Sequence, residues 1–232
     1  MLGKVASEAN QVLNKVDDFK YFVLLGTFVL MLDSTLITHS NASLLRLSWN
    51  EVDKAFTMGS ALAFICFFSF YITFIVATAR ISIIAIVSFI PFGIINFFKS
   101  NSSAVEPRKD LKNIWELRAM AIKNNNAVAY EAFKEKQQKK DSNNKLEQYC
   151  LAFLIASIIN LFSSSEEAES LIITVTSITN MNDMSPIENI KFILTCLLYL
   201  GIMKIGILDG CGFTYNYTED NYIYLPRDNN PT

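Results

Sequence analysis

The chain has 232 residues, of which 51% are hydrophobic and 18% charged, against about 25% charged in an ordinary soluble domain. Twenty Lys and Arg nearly balance 22 Asp and Glu, and mean hydropathy is positive. These values exclude a disordered chain and a secreted disulfide scaffold, argue against a cytosolic enzyme, and point to an integral membrane protein.

Residues 1–18 are mixed polar. Val5, Val12, Leu13 and Val16 recur at roughly helical spacing among Lys4, Lys15, Asp17 and Asp18, which predicts a short amphipathic helix at the membrane surface. No basic leader, short apolar core and small-residue cleavage site mark a removable signal peptide, so the first apolar segment is expected to direct insertion. That segment, 19–38, is interrupted by Lys20 and Asp33. Twenty helical residues reach about 30 Å, the hydrocarbon thickness of a bilayer, so it reads as the first span.

Ser48-Trp49-Asn50-Glu51 spells a capping box with an aromatic suited to the headgroup level. The stretch 56–98 follows, with Arg80 as its one charge. A straight helix of that length would be about twice as long as the hydrocarbon core is thick. Two readings stand. Either residues 77–82 form a tight turn between two spans, or one span (56–80) ends near Arg80 and 81–98 lies in the interface, helped by Pro91 and Gly93.

Residues 99–149 hold 11 of the 20 basic residues and seven acidic ones. Pro107 can open a helix at its first position. Leu111, Ile114, Trp115, Arg118 and Ile122 then trace one face, Asn124-Asn125-Asn126 interrupts, and Val128, Ala132 and Phe133 begin a second helical stretch. Segment 99–145 is therefore a small helical hairpin, or one bent helix, outside the membrane. Asp141-Ser142 can cap the next helix, whose apolar part, 146–162, is near the shortest length that spans. The loop 163–186 has no Lys or Arg; within it Leu171–Thr179 is apolar, too short to cross, and expected to pack on the outer surface. Ser185-Pro186-Ile187-Glu188 is a helix start, opening a last span over 187–208 that Gly210 stops. In the tail 209–232, Phe213, Tyr215 and Tyr217, then Tyr222 and Tyr224, alternate with polar residues around a polar turn, the pattern of a β-hairpin. The fold class is all-α and polytopic, with four transmembrane helices or, if 81–98 spans, five.

The basic segment belongs in the cytoplasm by the positive-inside rule, and the cation-free loop 163–189 outside. Four spans then leave both termini cytoplasmic, with Arg46 and Lys54 in an external loop. Five would move the N-terminus, with Lys4 and Lys15, outside.

Asp33 is the acidic residue deepest in an apolar run, and such residues are functional candidates. Its readings are a carboxylate near the outer headgroups, a pore-lining or proton-handling group, or one member of an inter-subunit or inter-helix pair; Arg80 and Lys204 are the candidate partners, or else snorkel to the interface. Gly59 and Ala63, four apart, are candidates for close helix packing or oligomerisation. Cys66, Cys150, Cys196 and Cys211 are isolated and read as small buried hydrophobes.

Catalytic signatures are missing: no G-x-x-x-x-G-K-[ST], G-x-S-x-G or H-E-x-x-H occurs. One histidine, His39, away from any cysteine cluster cannot build a usual zinc site. No cofactor, metal or catalytic residue is expected. Trp115, Arg118, Ile122, Tyr130 and Phe133, with Tyr215, Tyr217, Tyr222 and Tyr224, are candidate contacts for a cytosolic protein partner, and the seven acids among the basic residues argue against nucleic acid as that partner.

No residue motif identifies a family. The layout is similar to that of small membrane subunits of bacterial defence systems such as Kiwa, in which a membrane protein works with a cytosolic nucleic-acid-binding protein. The resulting expectation is a non-enzymatic, multi-pass subunit of the bacterial inner membrane, in contact with lipid. It oligomerises and recruits a cytosolic effector, in a setting such as phage defence. The alternatives are an oligomeric pore with Asp33 in its lumen, or an immunity or exclusion protein acting through loops 39–55 and 163–189.

Overall fold

A computed structural model describes residues 2–47, 57–89, 111–165, 168–176, 186–210 and 222–224, with the side chains of 2–18, 87, 111–113, 188 and 222–224 left aside. Helix α1 (Leu2–Ser40) is followed by α2 (Met58–Phe70), which passes through a π-helical turn (Tyr71–Ile75) into α3 (Val76–Ser88). A short strand β1 (Leu111–Asn113) leads into α4 (Ile114–Lys123) and the long α5 (Ala127–Phe162). Then come α6 (Leu171–Thr176), α7 (Pro186–Met203) ending in a second π-helical turn (Lys204–Asp209), and β2 (Tyr222–Tyr224).

Among the described residues four helical segments are long and apolar enough to cross a membrane: Phe19–Ser40, Met58–Ile86, Ala127–Phe162 and Asn189–Asp209. Their surroundings differ. α1 and α5 pack against each other and supply most of the core, in which Val23, Leu30, Met31, Leu151, Ala152 and Ala156 are buried. α2, α3 and α7 turn their large apolar side chains outward, among them Phe70, Phe74, Ile84, Leu194 and Leu197. In water such a surface would drive association; in a bilayer it is the ordinary face toward lipid tails.

The helices are longer than the sequence pattern suggests. Residues 77–82 form no turn, because Val76–Ser88 is one α-helix. This β-branched, apolar run contains neither Gly nor Pro to break it. The 29 residues Met58–Ile86 reach about 43 Å, so the helix does not end at Arg80 either; residues 90–110, with Pro91, Gly93 and Pro107, lie outside the described residues. The backbone of 2–18 is continuous with the first span. Asp141 and Ser142 do not start a helix: α5 runs through them, and Gln137 Nε2 donates to Asp141 Oδ1 at 3.2 Å. α5 starts instead at Asn126, whose Oδ1 accepts from Ala129 N–H at 3.1 Å after Asn125 turns the chain at φ 48°.

α4 folds back on the first turns of α5 around a small core of Ile114, Leu117 and Phe133, a helical hairpin. Tyr222–Tyr224 pairs antiparallel with Leu111–Asn113, while the other strand of the expected hairpin, around Phe213, Tyr215 and Tyr217, lies outside the described residues. Alternating aromatics suit any strand partner, and sequence alone leaves the choice open. Residues 211–221, with Phe213, Tyr215 and Tyr217, lie outside the described residues, as do the capping box 48–51 and positions 166 and 167 of the loop.

Candidate functional site

The polar groups inside the spans gather at two levels of α5. The first surrounds Asp33. α1 ends at Ser40, and Asn41 follows in the left-handed region at φ 49°, a conformation that Asn tolerates at a helix end. Asn41 N–H closes the helix on Ile37 O at 3.0 Å. The chain then doubles back, with Arg46 N–H on Ser43 O at 3.0 Å, and lays Ser43 against α1. Ser43 Oγ and Leu44 N–H both donate to Asp33 Oδ1, at 3.0 and 2.8 Å.

The other carboxylate oxygen serves the second loop. Asp33 Oδ2 accepts from Asn160 Nδ2 and from Leu171 N–H, each at 2.8 Å. Asn160, in the last turn of α5, accepts from Ile172 N–H through its Oδ1 at 3.2 Å, and its amide also lies 3.2 Å from Ser34 Oγ and 3.3 Å from Leu30 O. Two N–H groups that begin α6 and have no partner within that helix are thus taken up by Asp33 and Asn160. Asp33 and Asn160 are fully buried. A carboxylate offers about four lone-pair sites, and four donors occupy them, so the group needs no cation to sit inside. On the surface Arg46 Nη2 and Glu169 Oε2, 2.9 Å apart, join the same two loops. Both side chains are largely exposed, and such pairs contribute about 0–1 kcal/mol; the buried groups hold the loops.

The second level lies at the opposite end of the spans. Arg80 donates from Nε and Nη2 to Gly210 O at 3.1 and 2.9 Å, and from Nη2 to Glu147 Oε2 at 2.8 Å. Gly206, in the π-helical turn that closes α7, touches the backbone of α5. A Cβ there would lie 2.9 Å from Leu151 N and 3.1 Å from the Cys150 carbonyl carbon. The π-helical turn between α2 and α3 faces the same part of α5. Gln148 Nε2 donates to Ile72 O at 3.1 Å, and Tyr71 OH donates to Ala152 O at 2.6 Å. A π turn disturbs the helical ladder, and a neighbouring helix supplies the missing bond.

The structure therefore separates the three charges considered together in the sequence. Asp33 meets neither Arg80 nor Lys204 and is buried rather than exposed; its partners are neutral donors from two loops and α5. Arg80 does not snorkel free but bridges α3, α5 and the end of α7. Lys204 is exposed on the second π-helical turn. Gly59 and Ala63 are also exposed, and a Cβ on Gly59 would meet nothing closer than Thr57 Oγ1 at 4.0 Å; among the described glycines the close helix contacts fall at Gly26, Gly206 and Gly210. Cys150 is buried, whereas Cys66 and Cys196 are exposed on the lipid-type faces of α2 and α7. Asn160, Glu147 and Gln148 were missed, although polar residues inside the apolar run 146–162 are the same kind of signal that singled out Asp33.

On the hairpin, Phe133 is buried between Trp115 and Tyr130, with both ring centroids 6.2 Å from its own. The Arg118 guanidinium lies over Trp115 and Phe133. Trp115, Ile122, Val128 and Tyr130 remain exposed. Among the described residues no three His, Cys, Asp or Glu side chains come together as a metal site would require.

Four helices long and apolar enough to cross a membrane among the described residues, and the polar contacts that staple them, define the class: a multi-pass membrane protein. No protein-family model matches the chain, and neither a curated protein nor a solved structure is detectably similar to it.

Proposed function

We propose that the protein is a non-enzymatic anchor or sensor subunit of the bacterial inner membrane, one that oligomerises and recruits a cytosolic effector, in a setting such as phage defence. The observation that carries this reading is α5. It is one helix of 36 residues, about 54 Å long. Near one end Asn160 is bonded to Asp33, which holds both loops at that end of the spans. Near the other, Phe133 anchors a charged hairpin that leaves Trp115, Ile122 and Tyr130 exposed. The basic residues around the hairpin favour the cytoplasm. An event at the loops that displaces Asn160 moves the far end of α5 with it, because no break intervenes to absorb the motion.

The exclusion reading uses the same loop surface, which Arg46–Glu169 and Asp33 join into one. The pore reading has less support, since the oxygens of Asp33 are already engaged inside the chain.

The test is an affinity capture from crosslinked cells at native expression, comparing the full chain with a version in which 108–140 is replaced by a neutral linker. A cytosolic protein captured by the first and lost with the second is the expected outcome. Recovery of the chain alone in both would end the recruitment reading, and exchange of loops 39–55 and 163–189 would then decide for or against exclusion.

A further inference from the structure

Beside the Asp33 node, the end of α1, the start of α2 and the end of α5 enclose a groove of about 530 Å³. Its floor is apolar, formed by Met31, Leu32, Phe64, Phe67 and Ile159, and its rim is polar, with Thr38, His39, Ser40, Ser60 and Ser163. The rim lies at the helix ends beside the loops, and the floor extends toward the middle of the spans. Beyond it Phe64 packs with Phe28, ring centroids 5.2 Å apart, and Phe28 with Phe68 at the same distance, filling the space between α1 and α2.

We infer that this groove binds one acyl chain of a bilayer glycerophospholipid, with the glycerol and headgroup at the His39 rim. Three observations select that occupant. The walls are helices long and apolar enough to span the membrane, so the groove opens at the depth of lipid tails. The order from apolar floor to polar rim matches an amphiphile lying parallel to the spans with its head toward the helix ends. Size argues against a second copy's helix: a helix with its side chains is about 10 Å across, so 530 Å³ would hold little more than one turn of it. An extended methylene chain is much thinner and fits along the groove. The rim favours a polar head without demanding a particular charge, because the hydroxyls of Thr38 and Ser163 donate to backbone carbonyls and keep lone pairs to accept with.

The test uses the full chain in nanodiscs of phosphatidylethanolamine and phosphatidylglycerol doped with a phospholipid carrying a diazirine on one acyl chain. Labelled residues are mapped by mass spectrometry. At least threefold more label per exposed residue is expected on the groove than on the outward face of α7, at Ile193, Leu194 and Leu197. This comparison needs no variant. Ala63→Trp, which fills the groove from α2, should bring labelling down to the level of the outward faces, whereas Ile65→Trp, outside the groove, should not. Even labelling over all apolar faces would overturn the inference. So would a groove labelled less than those faces, the mark of a covering second copy, or a groove labelled by a diazirine fatty acid and not by the phospholipid.

Discussion

The two polar levels of α5 solve one problem with opposite materials. At the Asp33 end a buried anion is matched by neutral donors, two of them backbone N–H groups from loops. At the Arg80 end a half-buried cation meets an anion and a backbone carbonyl, among glycines that let helices touch. The first arrangement makes the loops part of the interior, because removing the carboxylate strands donors that are bonded to a fully buried group. The second binds helix to helix in a place where solvent or headgroups can still reach the charges. The Asp33 end should thus be the costlier one to disturb.

The largest effect is expected from Asp33→Ala. Leu44 N–H, Leu171 N–H and Ser43 Oγ lose their acceptor together, while Asn160 can still turn to Leu30 O and Ser34 Oγ. Each buried orphan costs about 1–3 kcal/mol, and the total should be about 4 kcal/mol or more, read as an earlier unfolding midpoint when SDS is titrated into mixed micelles. Asp33→Asn should cost less, about 1–3 kcal/mol. Its new NH₂ can face Ser43, whose hydroxyl can turn and accept, but Leu44 N–H is left without a partner. If the alanine variant unfolded with the wild type, the loops would not be held by this carboxylate and the contrast between the two ends would collapse.

At the other end Arg80→Leu should cost about 2 kcal/mol, below the range for a fully buried pair, since Arg80 is 30% and Glu147 19% exposed. Arg80→Lys should lose less, keeping the charge beside Glu147 but not the fork that reaches Gly210 O as well. Gly206→Ala belongs to the same level. Its Cβ would press on the backbone of α5, which cannot swing aside as a side chain can, and overpacking of this kind costs about 1–3 kcal/mol. Equal losses from Arg80→Leu and Asp33→Ala in the same titration would remove the ranking of the two ends.

How far these ends could be read from the sequence depends on what each is made of. Hydropathy located four spans, because a crossing helix needs a run of about 20 apolar residues whatever it packs against. The basic segment was legible as a helical hairpin or one bent helix, since Asn124 to Asn126 interrupt the helical pattern, and the hairpin forms because α5 restarts on the Asn126 cap. Asp33 was conspicuous as an acid in an apolar run, yet its partners were hidden. Two of them are backbone N–H groups, which carry no sequence signature, and Asn160 lies 127 positions away. Arg80 was equally visible and its partner Glu147 was not sought, because that residue stands at the edge of a run already read as a span. The π-helical turns left no trace, since they are set by how helices meet α5 and not by local propensity. The length of α5 was underestimated for a related reason: Asp141 and Ser142 form a good cap, but a cap does not act where the helix on both sides of it continues.

The smallest effect separates glycines the fold uses from those it does not. Gly206 is held against α5; Gly201, one turn earlier on α7, has open space where its Cβ would be, and Gly59 nearly so. Within one chain, alanine at either open position removes a helix penalty of about 1 kcal/mol in a helix interior. The gain should be smaller at Gly59, the second residue of α2, where fewer helical bonds depend on it. Gly201→Ala and Gly59→Ala should therefore raise the SDS midpoint slightly while Gly206→Ala lowers it. A loss at Gly59 would need a neighbour that the described residues do not supply. Together with weaker chemical crosslinking between copies, it would place a second subunit on the Gly59–Ala63 edge, since small residues four apart admit a helix closely. An unchanged or improved midpoint with crosslinking intact would move any subunit contact away from that edge.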